Sequence, residues 1–304
     1  MKLNTVYLLF LCGLLCPCTA CAQDYFYNNR YYESDFLFET GVSFGGINCL
    51  TDIGGNPGPG RKFMSDVNWC NTRASGGMYV NVTYRYALSA RLEFNVGSIT
   101  AYDSILKNDP SEGRYRYRRN LQFKSNITEL LLLAELYPLP LLFQTNRWRF
   151  SPYLVGGIGL FHFNPEGLYN DEWVSLQQLH TEGQGFDEYP ERRQYKLTQF
   201  NIPAGFGMRY ECSALLNIRV EMLYRITQTD YLDDVSTKYI DPALFRKYLA
   251  PEYASLAVEL HNRQKELDPQ YRNQPNAIRG NSSRNDAYFT MQCKLGLVIG
   301  RERR

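Results

Sequence analysis

From residue 217 to residue 227 the chain alternates without interruption, with Ile218, Val220, Met222, Tyr224 and Ile226 on one side and Arg219, Glu221, Leu223, Arg225 and Thr227 on the other. A period of two is an extended strand whose faces meet different environments. One such strand suits a half-buried soluble sheet as well as a membrane barrel, so the constraint comes from repetition. The alternation recurs near residues 35–45, 78–86, 91–97, 129–136, 150–163, 200–210 and 289–299, and the connections between these segments are alternately long and short.

The two faces differ in chemistry. Residues such as Phe36, Phe38, Val80, Val82, Leu92, Phe94, Phe206 and Leu295 hold the majority face, while Arg85, Arg91, Glu93, Glu129, Glu135, Arg209, Arg219, Glu221, Arg225 and Lys294 share the other. A face that charged cannot serve as a dry core. A soluble lipocalin-like barrel, apolar inside and charged outside, is the rival fold, and its polarity is the inverse of this one. The pattern therefore predicts an all-β fold, an eight-stranded antiparallel transmembrane up-and-down β-barrel with its apolar side to lipid. Its loops are long and extracellular, and its short turns and both termini are periplasmic. Eight strands enclose a lumen only wide enough for their own side chains, so the ten inward charges predict a salt-bridged plug, with an ion path as the alternative.

Composition agrees. Mean hydropathy is -0.40, as expected when only alternate residues are apolar. Aromatic residues make up 14%, enough for two interfacial girdles. No stretch after the start of the chain reaches the ~18 apolar residues of a spanning helix. The best, 130–143, is broken by Glu135, Pro138 and Pro140.

The chain starts with Lys2, an apolar run at 6–15 and Ala20-Cys21-Ala22, the layout of a secretory signal cleaved after residue 22; lipidation at Cys21 is the alternative. The expected organisation is a signal peptide at 1–22, a periplasmic segment at 23–34, the outer-membrane barrel at 35–300 with a long loop at 228–285, and a basic tail at 301–304. Four cysteines leave with the signal. Of the rest, Cys49 and Cys70 share the first external loop, where an oxidising compartment admits either a disulfide or two free thiols.

The last loop carries Asp230, Asp233 and Asp234, read either as a calcium candidate or as carboxylates that cap the loop backbone. Asp241-Pro242 and Pro251 predict short helices reaching about residue 267, with Tyr253, Leu256, Leu260 and Leu267 along one side. Arg114, Arg116, Arg118 and Arg119, interleaved with Tyr115 and Tyr117, read as a solvated loop or as a site for anionic lipopolysaccharide groups. The net charge of +2 gives no field for nucleic acid. Of the three histidines, His162 lacks a neighbouring serine, and His180 and His261 fall in loops and read as solvated. No metal spacing or catalytic pair emerges, so the expectation is a protein that is not an enzyme and needs no cofactor.

Several short motifs resemble one family. Phe44-Gly45-Gly46-Ile47-Asn48 and Asp52-Ile53-Gly54 follow the first strand, Arg119-Asn120-Leu121-Gln122-Phe123 enters the fourth, Pro152-Tyr153 with Gly156, Gly159 and Phe161 marks the fifth, and Asp286-Ala287-Tyr288-Phe289 opens the last. Together they resemble the PorG-type outer-membrane barrels of the type IX secretion system of Bacteroidota and their uncharacterised relatives. The resemblance implies an accessory structural component of protein secretion, in contact with outer-membrane lipids and with periplasmic ring components, and carries over no catalytic residue. A surface binding or adhesion barrel working through its loops, or a small solute pore, are the alternatives.

Overall fold

The computed structural model describes residues 35–55, 67–107, 113–142, 149–272 and 274–299. The expected signal peptide, Cys21, the 23–34 segment and the basic tail lie outside them. Ten strands follow in order: β1 (Phe36–Leu50), β2 (Arg73–Tyr84), β3 (Leu88–Tyr102), β4 (Gln122–Leu136), β5 (Phe150–His162), β6 (Pro165–Tyr169), β7 (Glu172–Ser175), β8 (Thr198–Glu211), β9 (Leu216–Thr227) and β10 (Ala287–Ile299). Eight of them close into an antiparallel barrel, because β1 pairs with both β2 and β10, so that Val42 lies opposite Met78 and Leu295. Closure leaves no sheet edge, the condition for crossing hydrocarbon with strands. At Pro203, which has no N–H to give, the β5–β8 ladder is interrupted between the pairs Gly156–Ala204 and Gly159–Asn201.

Burial follows the alternation. Leu132 is 55% exposed between Leu131 at 0% and Leu133 at 2%, so parity persists even through the leucine run that blurs it in the sequence. The outward side chains form an apolar belt, among them Phe38, Val80, Leu92, Ile158, Phe206 and Leu297. At the short-turn end Phe36 packs on Tyr84 at 5.1 Å and Phe150 on Tyr210 at 4.7 Å, part of an aromatic girdle. An apolar wall around a charged interior makes this a transmembrane barrel of the outer-membrane kind. Inside, glycines leave room for large polar side chains: a Cβ at Gly207 would sit 2.4 Å from the Tyr153 ring, and one at Gly296 would sit 2.2 Å from Glu39 Oε1.

One inward charge belongs elsewhere. Arg85, expected in the lumen, lies in the turn between β2 and β3 with φ 46°, followed by Tyr86 at φ 59°. Its side chain is exposed and pairs with Asp35 at 3.1 Å. The strand ends at Tyr84 because the chain reverses there, which takes Arg85 off both faces.

The long connections fold over the opposite mouth as a cap. It comprises α1 (Gly113–Arg119), the β6–β7 hairpin, α3 (Ala243–Tyr248), α4 (Pro251–His261) and α5 (Gln264–Leu267), whereas α2 (Pro138–Leu142) follows β4 at the short-turn end. The hairpin, within a stretch expected to be loop, continues the β4 ladder through Lys124–Glu166. Leu176, Leu179, Phe186, Ile240, Phe245 and Leu260 form the cap's own apolar core. Of the expected stripe, Leu260 is buried and Leu256 packs against the cap core, whereas Tyr253 and Leu267 are exposed; Ala254, Ala257 and His261 complete the buried side of α4. His261 is thus buried rather than solvated, with Nδ1 3.1 Å from the Val258 carbonyl.

Candidate functional site

The middle of the lumen is filled by side chains from opposite walls. Arg91 on β3 reaches Glu93 Oε2 at 2.9 Å, Glu135 Oε1 at 2.6 Å and Glu221 Oε2 at 2.7 Å. Arg219 on β9 bridges Glu135 and Glu39, both at 2.9 Å. Lys294 on β10 joins Glu93 at 2.5 Å to Glu221 at 3.0 Å, and Arg225 pairs with Glu129. Phenols complete the carboxylates: Tyr79 donates to Glu39 at 2.6 Å, Tyr137 to Glu135 at 2.6 Å, Tyr153 to Glu221 at 2.9 Å and Tyr288 to Glu129 at 2.8 Å. Arg209 instead lies over the Tyr137 ring at 4.4 Å, with Glu211 at 3.7 Å. Among the described residues that face the lumen, five buried cations (Arg91, Arg209, Arg219, Arg225, Lys294) meet six buried glutamates (Glu39, Glu93, Glu129, Glu135, Glu221 and, near the end of β8, Glu211).

Opposite charges in this layer nearly balance, which leaves little net field to draw an ion through. Glu39 and the four tyrosines are members that the charge pattern alone did not single out. Glu39 is a lone carboxylate on its strand, and a phenol at an inward position gives no charge signal. Parity does place Glu39 and Tyr79 inside.

Above the ion pairs the mouth is apolar. Ile47, Ile99, Ile127, Phe161, Leu232 and Val235 meet there, and an aromatic series climbs into the cap, with Phe161 on Phe163 at 5.4 Å, Phe163 on Tyr195 at 6.0 Å and Tyr195 on Tyr231 at 4.8 Å. The lumen is closed by paired charge and then by packed rings.

The seam between cap and barrel is polar and buried. Arg119 binds Asp103 through Nε at 2.8 Å and donates to the carbonyls of Asp52 and Arg279, both at 2.6 Å. Arg279 pairs with Glu182 at 3.0 Å, and Glu182 accepts from the amides of Ser236 and Thr237. Asp233 accepts from the amides of Ile53 at 2.9 Å and Val235 at 3.0 Å, and Asp286 from that of Leu232 at 2.8 Å. Asp234 takes Thr181, Tyr195 and Arg279. The calcium candidate is therefore corrected: Asp233 is taken up by backbone amides and Asp234 by Thr181, Tyr195 and Arg279, and no group of three or more His, Cys, Asp or Glu able to hold a metal occurs among the described residues. Of the two readings of Cys49 and Cys70, the structure gives the pair of free thiols. Cys49 is buried with Sγ 3.9 Å from the Thr100 carbonyl, Cys70 is exposed in a short 3-10 turn, and both thiols are free. His162 faces outward, 3.0 Å from Thr198 Oγ1.

Most of the motifs that carry the family resemblance fall on this seam. Gly54 N donates to Asp103 Oδ1 at 3.1 Å, and Asn48 Nδ2 to the Asn68 carbonyl at 2.9 Å. Their work is to hold loops to the barrel mouth.

Burial sets the protonation of the seam. Desolvation, with Asp52 nearby, pushes Asp233 up to about 8 from 3.8, and burial with Asp52 and Asp233 pushes Asp230 up to about 9. Asp286 is raised for the same reasons. These carboxyls keep a proton in the closed cap that they lose when it opens. Their contribution is thus fully present below pH 3.8 and is lost as pH rises through 8 to 9. His261 acts oppositely: burial, then Arg279, lowers it to about 3 from 6.5, so its contribution is present above pH 6.5 and lost below. Cap stability therefore falls as pH rises from about 6.5 to about 9. Limited proteolysis of the cap across that range is expected to speed up with pH, and Asp233→Asn is expected to flatten the rise. In the lumen, Arg219→Ala strands Glu39 and Glu135 and is expected to cost about 3–5 kcal/mol in denaturant unfolding. Arg219→Met combined with Glu135→Gln is expected to cost less than the sum of the two single changes.

No curated protein matches the chain. Solved structures that resemble it are outer-membrane barrels. The N-terminal β-barrel domain of Pseudomonas aeruginosa OprF is 8% identical, with 88% of this chain and 98% of that chain covered and a TM-score of 0.34. Ail, the attachment invasion locus protein of Yersinia pestis, is 7% identical over 86% and 99%, with a TM-score of 0.36. Neisserial surface protein A is 9% identical over 87% and 97%, with a TM-score of 0.33. The barrel itself rests on the closed ladder and the polarity of its walls, independently of these likenesses. One family model, described as a domain of unknown function (DUF6089), matches residues 30–245, most of the chain, and the protein belongs to that family.

Proposed function

We propose that this barrel is a non-conducting scaffold of the outer membrane that serves type IX protein secretion as an accessory component. The filled lumen carries the scaffold half: with Arg91, Arg219 and Lys294 cross-linked to glutamates and an apolar seal above them, the working surfaces are the two ends. The same filling argues against a solute pore. The secretion half is supported by the resemblance of the seam motifs to PorG-type barrels. In this arrangement the cap stands outside the cell and the belt meets outer-membrane lipids. The short turns at Arg85 and Ser213 and both termini face the periplasm, where ring components would be seated.

The test is a clean deletion in the native host, scored by whether proteins bearing the type IX sorting signal reach the surface. Loss of export is expected, restored by the wild-type gene and not by one altered at Arg85 and Ser213. Normal export in the deletion strain would overturn the secretion role.

A further inference from the structure

The four arginines of α1 divide by task. Arg119 is buried in the seam and Arg116 donates to the Gly54 carbonyl at 2.5 Å, whereas Arg114 and Arg118, one helical turn apart, face solvent. The segment after α1 meets α5 through Asn120, which donates to Glu266 Oε2 at 2.9 Å and to the Arg263 carbonyl at 3.3 Å. Beyond that contact, Lys265 and Arg272 are exposed and line an open depression with Gln270 and Tyr271. Tyr115 is 47% exposed, bonded to the Ile278 carbonyl and near Tyr271.

The described carboxylates nearby are engaged elsewhere. Glu266 is held by Arg263 at 2.7 Å, and Asp268 accepts from Gln270 N at 3.0 Å. Arg114, Arg118, Lys265 and Arg272 thus make a local basic flank, with two phenol rings among them, on a chain whose net charge is only +2. Its height above the membrane narrows the partner. On β4 the last outward apolar residue is Leu130, and the strand continues to Gln122. Eight residues at ~3.3 Å each on a strand tilted ~40° put the flank about 20 Å above the hydrocarbon, clear of lipid headgroups.

We propose that this flank binds an acidic polysaccharide at the cell surface. Guanidinium groups take sulfate, phosphate or carboxylate through paired N–H donors. Phenol rings offer flat apolar faces to sugar rings. An open depression suits an extended chain. The inference concerns the cap alone and does not depend on the export assay.

The test uses the full chain in neutral-lipid nanodiscs and compares dextran sulfate with dextran, which share a backbone and differ in charge. Wild-type protein is expected to bind the sulfated form only. The variant with Arg114, Arg118, Lys265 and Arg272 all changed to Gln is expected to lose at least about tenfold in affinity at low salt. That gap should close near 1 M salt, where the screening length falls to ~3 Å. A control removes the same number of charges from other cap elements, at Arg193, Lys196, Arg246 and Lys247, and is expected to bind like wild type; limited proteolysis checks that every cap is intact. Equal loss in both variants, no loss in the first, or equal binding of plain dextran would overturn the proposal. So would variant-sensitive binding of phosphatidylglycerol vesicles without binding of dextran sulfate, which would assign the flank to a lipid surface.

Discussion

Glu135 accepts from Arg91 on one side and from Arg219 on the other, and this shared carboxylate ties together strands that the sequence keeps far apart. Around it, β1 contributes Glu39, β3 Arg91, β9 Arg219 and β10 Lys294, so the network spans the barrel from wall to wall. Desolvating that many charges is costly, and buried pairs are weak evidence of stability when each is weighed against an apolar substitute. What the network supplies is mutual dependence. Removing one partner strands another, so the closed arrangement is favoured over slipped registers that would move every charge to the lipid face.

The rest of the molecule follows from a lumen that is full. With the charges of the lumen cross-linked to one another, the polar chemistry available to partners is displaced to the ends. At one end it becomes a cap with its own apolar core, joined to the mouth by Arg119, Arg279 and buried carboxylates. The short motifs around Asn48, Ile53, Arg119 and Asp286 lie at that joint, which gives them a structural role: they fix loop one, α1 and the start of β10 against each other.

The barrel was legible in the sequence because lipid and lumen impose opposite demands on alternate residues, and that contrast survives in eight separate strands. Arg85 leaves the strand without a sequence signal, because the reversal after Tyr84 uses two positive-φ residues, Arg85 and Tyr86, in place of the Gly or Asn that marks such turns. Parity places Glu39 inside but names no partner for it, and the phenols of Tyr137, Tyr153 and Tyr288 carry no charge signal, since partners across a barrel leave no local spacing to read. The cap was the least legible part. Its core draws Leu179 and Phe186 from one loop and Phe245 and Leu260 from another, and the buried stripe of α4 is built largely from the small residues Ala254 and Ala257, a weaker apolar signal than the exposed Tyr253. Asp233 resembles a metal ligand in the sequence because the donors that occupy it, the Ile53 and Val235 amides, are backbone groups that side-chain patterns do not display.

The scaffold role stands or falls with closure of the lumen. Its most direct measurement is conductance of the purified full-length protein in planar lipid bilayers. A filled, doubly sealed barrel predicts a flat baseline with no unitary steps across the applied voltage range. Stable, ohmic steps of uniform size from correctly folded protein would contradict it, and would mean that the ion-pair layer lines a path instead of blocking one.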